Sequence, residues 1–254
     1  MPGTRDTDRD WARVAEDDPY WGVLSLDEYR RDSLGPEGMA RFMETGERFV
    51  RDVFSLVRAH LDPAFAPRRV LDVGCGVGRL LLPMARTAAE AVGVDVAPRM
   101  LEIAAENART AGLENVVLLG SDDQLSEVDG EFDFVNSYIV LQHIPPERGY
   151  RLIQAMIAHT RKGGVVSIQM TYAKGRSFLQ NEAPTALYYR RDGNQIHDIL
   201  DSGWRPPEGT INMYDYDLNQ VMAQVSSAAG HPVIALPTSD DSHLGTHFLF
   251  RKAR

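Results

Sequence analysis

Cysteine is nearly absent from this chain of 254 residues: Cys75 stands alone, so no intrachain disulfide can brace the fold. A basic excess is also missing. Lys+Arg number 27 against 36 Asp+Glu, and the formal charge of −9 supplies no overall field for a polyanion. No window approaches the roughly 18 uninterrupted apolar residues of a membrane span. The N-terminal stretch MPGTRDTDRDWARVAEDD mixes both charges and lacks the apolar core of a signal peptide. Together these absences point away from nucleic-acid and membrane partners and toward a cytoplasmic location. Repeats and low-complexity segments are lacking too, while 43% hydrophobic and 25% charged residues make an ordinary globular balance.

Residues 1–19 read as a loose polar arm. From 38 to 61, Met39, Phe42, Met43, Phe49, Val50, Val53, Phe54, Val57 and Leu61 recur at three-and-four spacing, which predicts an amphipathic helix ended by Asp62-Pro63. The chain then alternates. The apolar run V-L-D-V precedes a glycine-rich loop and a helical stretch over 79–87, and a buried strand follows at 91–96. Pro98 suits a helix's first turn, and Gly112 stops that helix. Further strands are expected at 115–119, 132–137 and 165–170, with a helix over about 147–161. Such alternation predicts an α/β fold, doubly wound around a mostly parallel sheet. Residues 172–212 break the rhythm with Tyr188, Tyr189, Trp204 and the cations Lys174, Arg176, Arg190 and Arg191, and read as an insertion after the fifth strand. A helix over 215–229 and a C-terminal antiparallel hairpin complete the pattern.

The loop V-L-D-V-G-C-G-V-G-R (70–79) poses the question of its ligand. A dinucleotide fingerprint needs G-x-G-x-x-G, yet Arg79 occupies the place of the third glycine. Asp72, before the loop, would face a pyrophosphate unfavourably and suits a ligand with a cationic amine. S-adenosylmethionine carries an ammonium and a sulfonium and no phosphate. Asp95, some 20 residues beyond the loop, can accept from ribose hydroxyls with either ligand. Asp122 and Asp123 follow the third strand, where a carboxylate can take an adenine amine.

In series, VLDVGCGVGR, VGVDV, the S-D-D loop, FDFVNSYIVLQHI and the strand after RKGG resemble the class I S-adenosylmethionine-dependent methyltransferases over roughly residues 66–172. The resemblance implies a seven-stranded sheet whose last strand is antiparallel and inserted beside the sixth. It implies two parts: an N-terminal arm and helix, 1–62, covering the active site, and a cofactor-binding domain, 63–254, with a substrate-side insertion at about 172–212. Asp72 would touch the methionine amine, with the backbone of Gly74, Cys75 and Gly76 passing under the ligand. Asp95 would bind ribose, Val96 and Met100 would pack near the adenosine, and Asp122 or Asp123 would address adenine. Ser137 would face the methionine portion, and Arg79 its carboxylate. Cys75 needs no nucleophilic role, since a small buried thiol suffices for such a loop.

The reaction the resemblance implies is methyl transfer to a small-molecule acceptor, with a hydroxyl of natural-product or sugar type as the expected target. A nitrogen acceptor and a non-catalytic cofactor-binding protein are the alternatives. A hydroxyl must lose its proton, and His143, just past the fourth strand, is the candidate base. Tyr20, Trp21, Gln142, Tyr172, Tyr188 and His197 join His143 as candidate acceptor-pocket residues. His243 and His247 alternate on a hairpin strand and read as structural. No convergent ligand set for a metal is assembled by spacing. The expected assembly is a monomer or homodimer.

Overall fold

The structure is a computed structural model that describes residues 6–175, 187–192, 195–200, 213–239 and 243–253, the two short middle segments as backbone. Residues 1–19 are not a loose arm where described. Asp6 caps helix α1 (Thr7–Asp17) by accepting the Arg9 N–H, and α2 (Pro19–Val23) follows directly. Thr7, Val14 and Ala15 are buried at helical spacing, so the dense charges of this segment sit on the outer faces of an amphipathic helix. The long helix α3 (Pro36–His60) starts on Pro36 and buries Phe42, Val50, Val53, Phe54 and Val57.

The elements then follow as β1 (Arg69–Val73), α4 (Leu81–Ala85), β2 (Glu90–Asp95), α5 (Pro98–Thr110), β3 (Val116–Gly120), β4 (Phe132–Ser137), α6 (Pro146–His159) and β5 (Thr160–Lys174), with a loop in place of a helix between β3 and β4. Beyond β5, β6 (Leu187–Asp192) and β7 (Gln195–Leu200) pair antiparallel as a separate two-stranded sheet inside the segment read as an insertion. Helix α7 (Leu218–Ala228) leads into β8 (Ala229–Pro237) and β9 (His243–Lys252). The main sheet has seven strands in the order β3-β2-β1-β4-β5-β9-β8, with β9 antiparallel between β5 and β8.

Strand alternation divides the core into two layers. Leu71, Val73, Val135, Val166, Ile168, Phe248 and Phe250 face α6 and α7, meeting Ile153, Met156, Val221 and Val225. Val70, Phe134, Val165 and Leu249 face the opposite way onto Val50, Val53, Phe54 and Val57 of α3 and onto Leu81 and Met84 of α4. A third cluster, with Ala15, Tyr29, Phe42, Val77, Ala97, Met100 and Ile103, joins the N-terminal helices to α5 and the glycine loop. The chain order reverses between β1 and β4, and the crevice at the carboxyl ends of those strands is where open α/β sheets bind ligands.

Gly46 sets how closely α3 approaches that crevice. A Cβ there would lie 2.0 Å from the Arg79 carbonyl oxygen. Ala in a helix interior is otherwise favoured over Gly by about 1 kcal/mol. We predict that Gly46→Ala nonetheless lowers unfolding free energy by about 1–3 kcal/mol through overpacking. Urea denaturation checks the sign: a higher midpoint would contradict the close approach.

Candidate active site

The glycine loop is fixed by the end of β2. The N–H groups of Gly74 and Cys75 both donate to the Val94 carbonyl, at 2.8 and 3.0 Å, and the Gly76 N–H donates to Asp95 Oδ2 at 2.9 Å. Asp95 Oδ1 accepts the Ala97 N–H at 2.9 Å, so one carboxylate fastens both the loop and the entry to α5. Burial raises its pKa from the ordinary value, and the N–H donors work against that shift. Gly74 and Gly76 adopt φ of +73° and +52°. A Cβ on Gly74 would meet Val140 at 2.5 Å, and one on Gly76 would meet Val23 at 2.8 Å, so both positions demand glycine.

Above the loop opens a cleft of about 820 Å³, the solvent-open space at its mouth included. Gly74, Gly76, Asp95, Val96 and Met100 line one side, and Ser121, Asp122 and Asp123 line the next. Tyr138, Ile139, Val140 and His143 form the wall beyond β4, and Arg79 lies beneath α3. Thr7, Asp8 and Trp11 of α1, with Gly22 and Val23 of α2, close the cleft from the N-terminal side. The structure therefore brings together Gly74, Gly76, Arg79, Asp95, Val96, Met100, Asp122, Asp123 and His143 from the sequence-derived candidates.

Other candidates lie off this wall, each for a local reason. Asp72 shares the parity of Val70, so its carboxyl is buried on the α3 side and accepts from Asn136 Nδ2 at 2.8 Å. Burial pushes its pKa up to about 7 against the pull of Asn136 and Arg79. Cys75 turns into the core toward Gly93 and Leu81, where burial pushes the thiol up. Ser137 is fully buried, and its hydroxyl has no partner among the described residues. Tyr20 packs edge-on against Phe42 and hydrogen-bonds Asn107. Trp21 lies under the Arg30 guanidinium at 4.3 Å. Gln142 is buried between His143 and Gln169, and Tyr172 is half-buried on β5. The side chains of Tyr188 and His197 lie outside the described residues, as do those of Tyr189, Trp204, Arg176, Arg190 and Arg191.

Several site residues were not singled out from the sequence. Trp11 meets the His143 ring edge-on at 5.0 Å. Arg148, on the first turn of α6, donates to both Asp8 oxygens at 2.8 and 2.9 Å and through Nε to Asp123 at 2.8 Å. The spacing of Trp11, Val14 and Ala15 behind the cap Asp6 is the signal that α1 offered; Arg148 offered none. Ile139 holds φ of +63°, costly for a β-branched residue, while its N–H donates to Gln169 Oε1 at 3.0 Å. Arg79 is 5% exposed; its Nη1 reaches Thr45 at 3.4 Å, and its Nε has no partner among the described residues.

The Arg148 bridge is a charged tie between α1 and the wall of the cleft. Arg148→Ala should release α1, and the amides of residues 7–17 should then exchange with solvent about tenfold faster. Hydrogen-exchange mass spectrometry checks this, and unchanged protection would show that the bridge does not hold the helix.

Comparison with known proteins follows the same lines. Residues 70–164 match a family model described as a methyltransferase domain. A ubiquinone biosynthesis O-methyltransferase from Methylocella silvestris is 30% identical over 162 residues, covering 53% of this chain and 62% of that protein. Another from Ruegeria pomeroyi is 40% identical over 86 residues, covering 34% of this chain and 35% of that one. The chain thus spans less than two thirds of these curated relatives. Among solved structures, a magnesium protoporphyrin IX methyltransferase from Synechocystis with bound S-adenosylhomocysteine superposes with a TM-score of 0.60 at 17% identity, covering 94% of this chain and 99% of that one. An N-methyltransferase from Bradyrhizobium japonicum, also in complex with S-adenosylhomocysteine, gives 0.57 at 14% identity, with 98% and 100% covered. Residues 70–164 thus match a methyltransferase-domain model, and the chain has the α/β fold of the S-adenosylhomocysteine-bound methyltransferases on which it superposes.

Proposed function

We propose that the protein binds S-adenosylmethionine in the cleft and catalyses transfer of its methyl group to a hydroxyl of a small-molecule acceptor. The observation that carries this reading is where the loop's donors go. The N–H groups of Gly74, Cys75 and Gly76 are all spent on Val94 and Asp95, so they are not offered to a phosphate. A dinucleotide's pyrophosphate relies on such donors. What the cleft offers instead is the Asp95 carboxylate, two further carboxylates at Asp122 and Asp123, and a buried guanidinium with an unpartnered Nε at Arg79. That donor set fits an adenosyl ligand with hydroxyls, an amine and a carboxylate and without phosphate.

In this reading the Asp95 oxygens, each with one lone-pair direction already used by a backbone N–H, accept from the ribose hydroxyls. Val96 and Met100 pack against the adenosine. Asp122 is committed to the N–H groups of Gln124 and Ser126, and Asp123 to Arg148 and Arg151, so both are fixed on that wall. Arg79 Nε takes the ligand's carboxylate. Bound S-adenosylmethionine supplies a methyl carbon already activated by the sulfonium. The protein's remaining task is to align the acceptor and remove its proton.

His143 is the imidazole on the cleft wall and serves as that base. Gln142 Oε1 accepts from Gln169 Nε2 at 3.4 Å, which turns the Gln142 amide nitrogen toward His143 Nε2 at 3.2 Å. That makes Nε2 the unprotonated ring nitrogen, so the acceptor's hydroxyl displaces the Gln142 donor there and leaves its proton on Nε2. Trp11 packs against the ring from α1. The O-methyltransferase relatives support a hydroxyl acceptor, and the enclosure of His143 by α1 supports exclusion of water from it. The domain division, with residues 1–62 covering the site, belongs to the same proposal and is supported by the α1 and α2 residues on the cleft wall.

Calorimetric titration with S-adenosylhomocysteine should show binding, and Asp95→Ala should weaken it at least about tenfold through loss of charge-assisted hydrogen bonds. Transfer of labelled methyl to a panel of small phenols and sugars should follow. Absence of heat from the unaltered protein would contradict the cofactor. Binding without transfer to any acceptor would contradict catalysis.

A further inference from the structure

The turn after β4 keeps Ile139 in the left-handed region, a conformation that a β-branched residue holds only where its surroundings enforce it. In that conformation the Ile139 N–H points at Gln169 Oε1, 3.0 Å away. Gln169 is 3% exposed on β5, paired across the sheet with His247 of β9. It extends a polar row on the sheet face beneath α3. In that row Asn136 Nδ2 donates to Asp72 Oδ1 at 2.8 Å, Ser167 Oγ donates to Asn136 Oδ1 at 2.7 Å, and Ser167 Oγ meets His247 Nε2 at 2.8 Å. At the carboxyl end of β5, Gln169 Nε2 reaches Gln142 Oε1 and Thr238 Oγ1, each at 3.4 Å. Gln142 Nε2 in turn lies 3.2 Å from His143 Nε2.

The direction of this chain of amides is set at its start. A backbone N–H only donates, so Gln169 must present its carbonyl oxygen to Ile139 and its NH2 to Gln142. Gln142 then accepts with its carbonyl and turns its own NH2 toward the imidazole. A donor at Nε2 leaves the ring proton on Nδ1, because the tautomer follows the hydrogen bond made at the other nitrogen. A histidine free in water carries its proton mainly on Nε2, so the relay reverses the ring's own preference. Without the anchor at Ile139 both amides are free to turn over, and a Gln142 carbonyl facing Nε2 would draw the proton there.

We infer that Gln169 is a positioning residue for His143: it takes its orientation from the Ile139 N–H and, through Gln142, keeps His143 Nε2 unprotonated and ready for the acceptor's hydroxyl. This rests on the reading of His143 as the base. Ile139, Gln142 and His143 share the turn beyond β4, and Gln169 from β5 is the group that connects the first of them to the other two. The costly conformation of Ile139 has a use in this arrangement, since it aims the donor that gives the relay its direction. The proton passes from the acceptor oxygen to Nε2, giving an imidazolium, and the freed electron pair stays on the oxygen.

The test is the tautomer of His143, read by two-dimensional 1H–15N NMR of histidine-labelled protein at about pH 8, where an ordinary histidine is neutral. The unaltered protein should show the proton on Nδ1. Gln169→Met, which keeps the reach of the side chain and removes both amide groups, should move it largely to Nε2. Gln142→Met removes the last donor and leaves the contact between Ile139 and Gln169 in place, so it carries the test if the Gln169 variant does not fold. In both variants kcat for methyl transfer should fall at least about tenfold, part of the ~10²–10⁴ that a positioned base supplies. The acceptor KM and the affinity for S-adenosylhomocysteine should stay within about twofold. A proton on Nε2 in the unaltered protein, or a tautomer that neither variant moves, would overturn the inference, as would equal losses in kcat and cofactor affinity. The expected tautomers with undiminished kcat would instead overturn the reading of His143 as the base.

Discussion

The contact between the Asp95 carboxylate and the Gly76 N–H holds the site in its shape. It ties the glycine loop to the end of the neighbouring strand, while the other Asp95 oxygen takes the Ala97 N–H and sets the start of α5. With those donors used internally, the loop shows a ligand bare backbone flanked by carboxylates. The neighbours conform to it. Gly74 passes so close to Val140 that no side chain fits, and the turn beyond β4 that carries Val140 keeps Ile139 in a left-handed conformation pinned by Gln169.

The N-terminal helices complete the cleft through a different kind of interaction. Val14 and Ala15 bury apolar surface, and the tie between Arg148, Asp8 and Asp123 adds direction. Because Asp123 shares this tie with Arg151, the wall opposite Asp95 and the helix above it are coupled through a few half-buried charges. On the far side of the sheet's edge, α3 covers both Arg79 and the polar row from Asp72 to His247.

Much of this was legible in the sequence because strand and helix periods are strong signals. The alternating run from 70 to 170, the proline at the start of α5 and the closing hairpin all appear at the expected places, with ends that differ by a few residues. The glycine loop and Asp95 could be placed because their spacing reflects a backbone constraint. The α1 helix was hidden by its charges, which mask an apolar stripe of few residues. Side-chain direction was the harder problem. Asp72 shares the parity of Val70 and so lies beneath the loop; Cys75 turns inward where the loop leaves the strand; Ser137 ends a strand buried on both faces. Tyr20 and Trp21 found partners in Asn107 and Arg30, which no local pattern announces. The row from Asp72 to His247 depends on the register of four strands and exists only once the sheet is assembled.

Hydrogen exchange with and without ligand tests the central claim most directly, because it reads the loop itself. With S-adenosylhomocysteine added, the amides of residues 73–79, 95–100 and 7–17 should gain protection together, and NADH should leave them unchanged. Protection by NADH and none by S-adenosylhomocysteine would contradict the account.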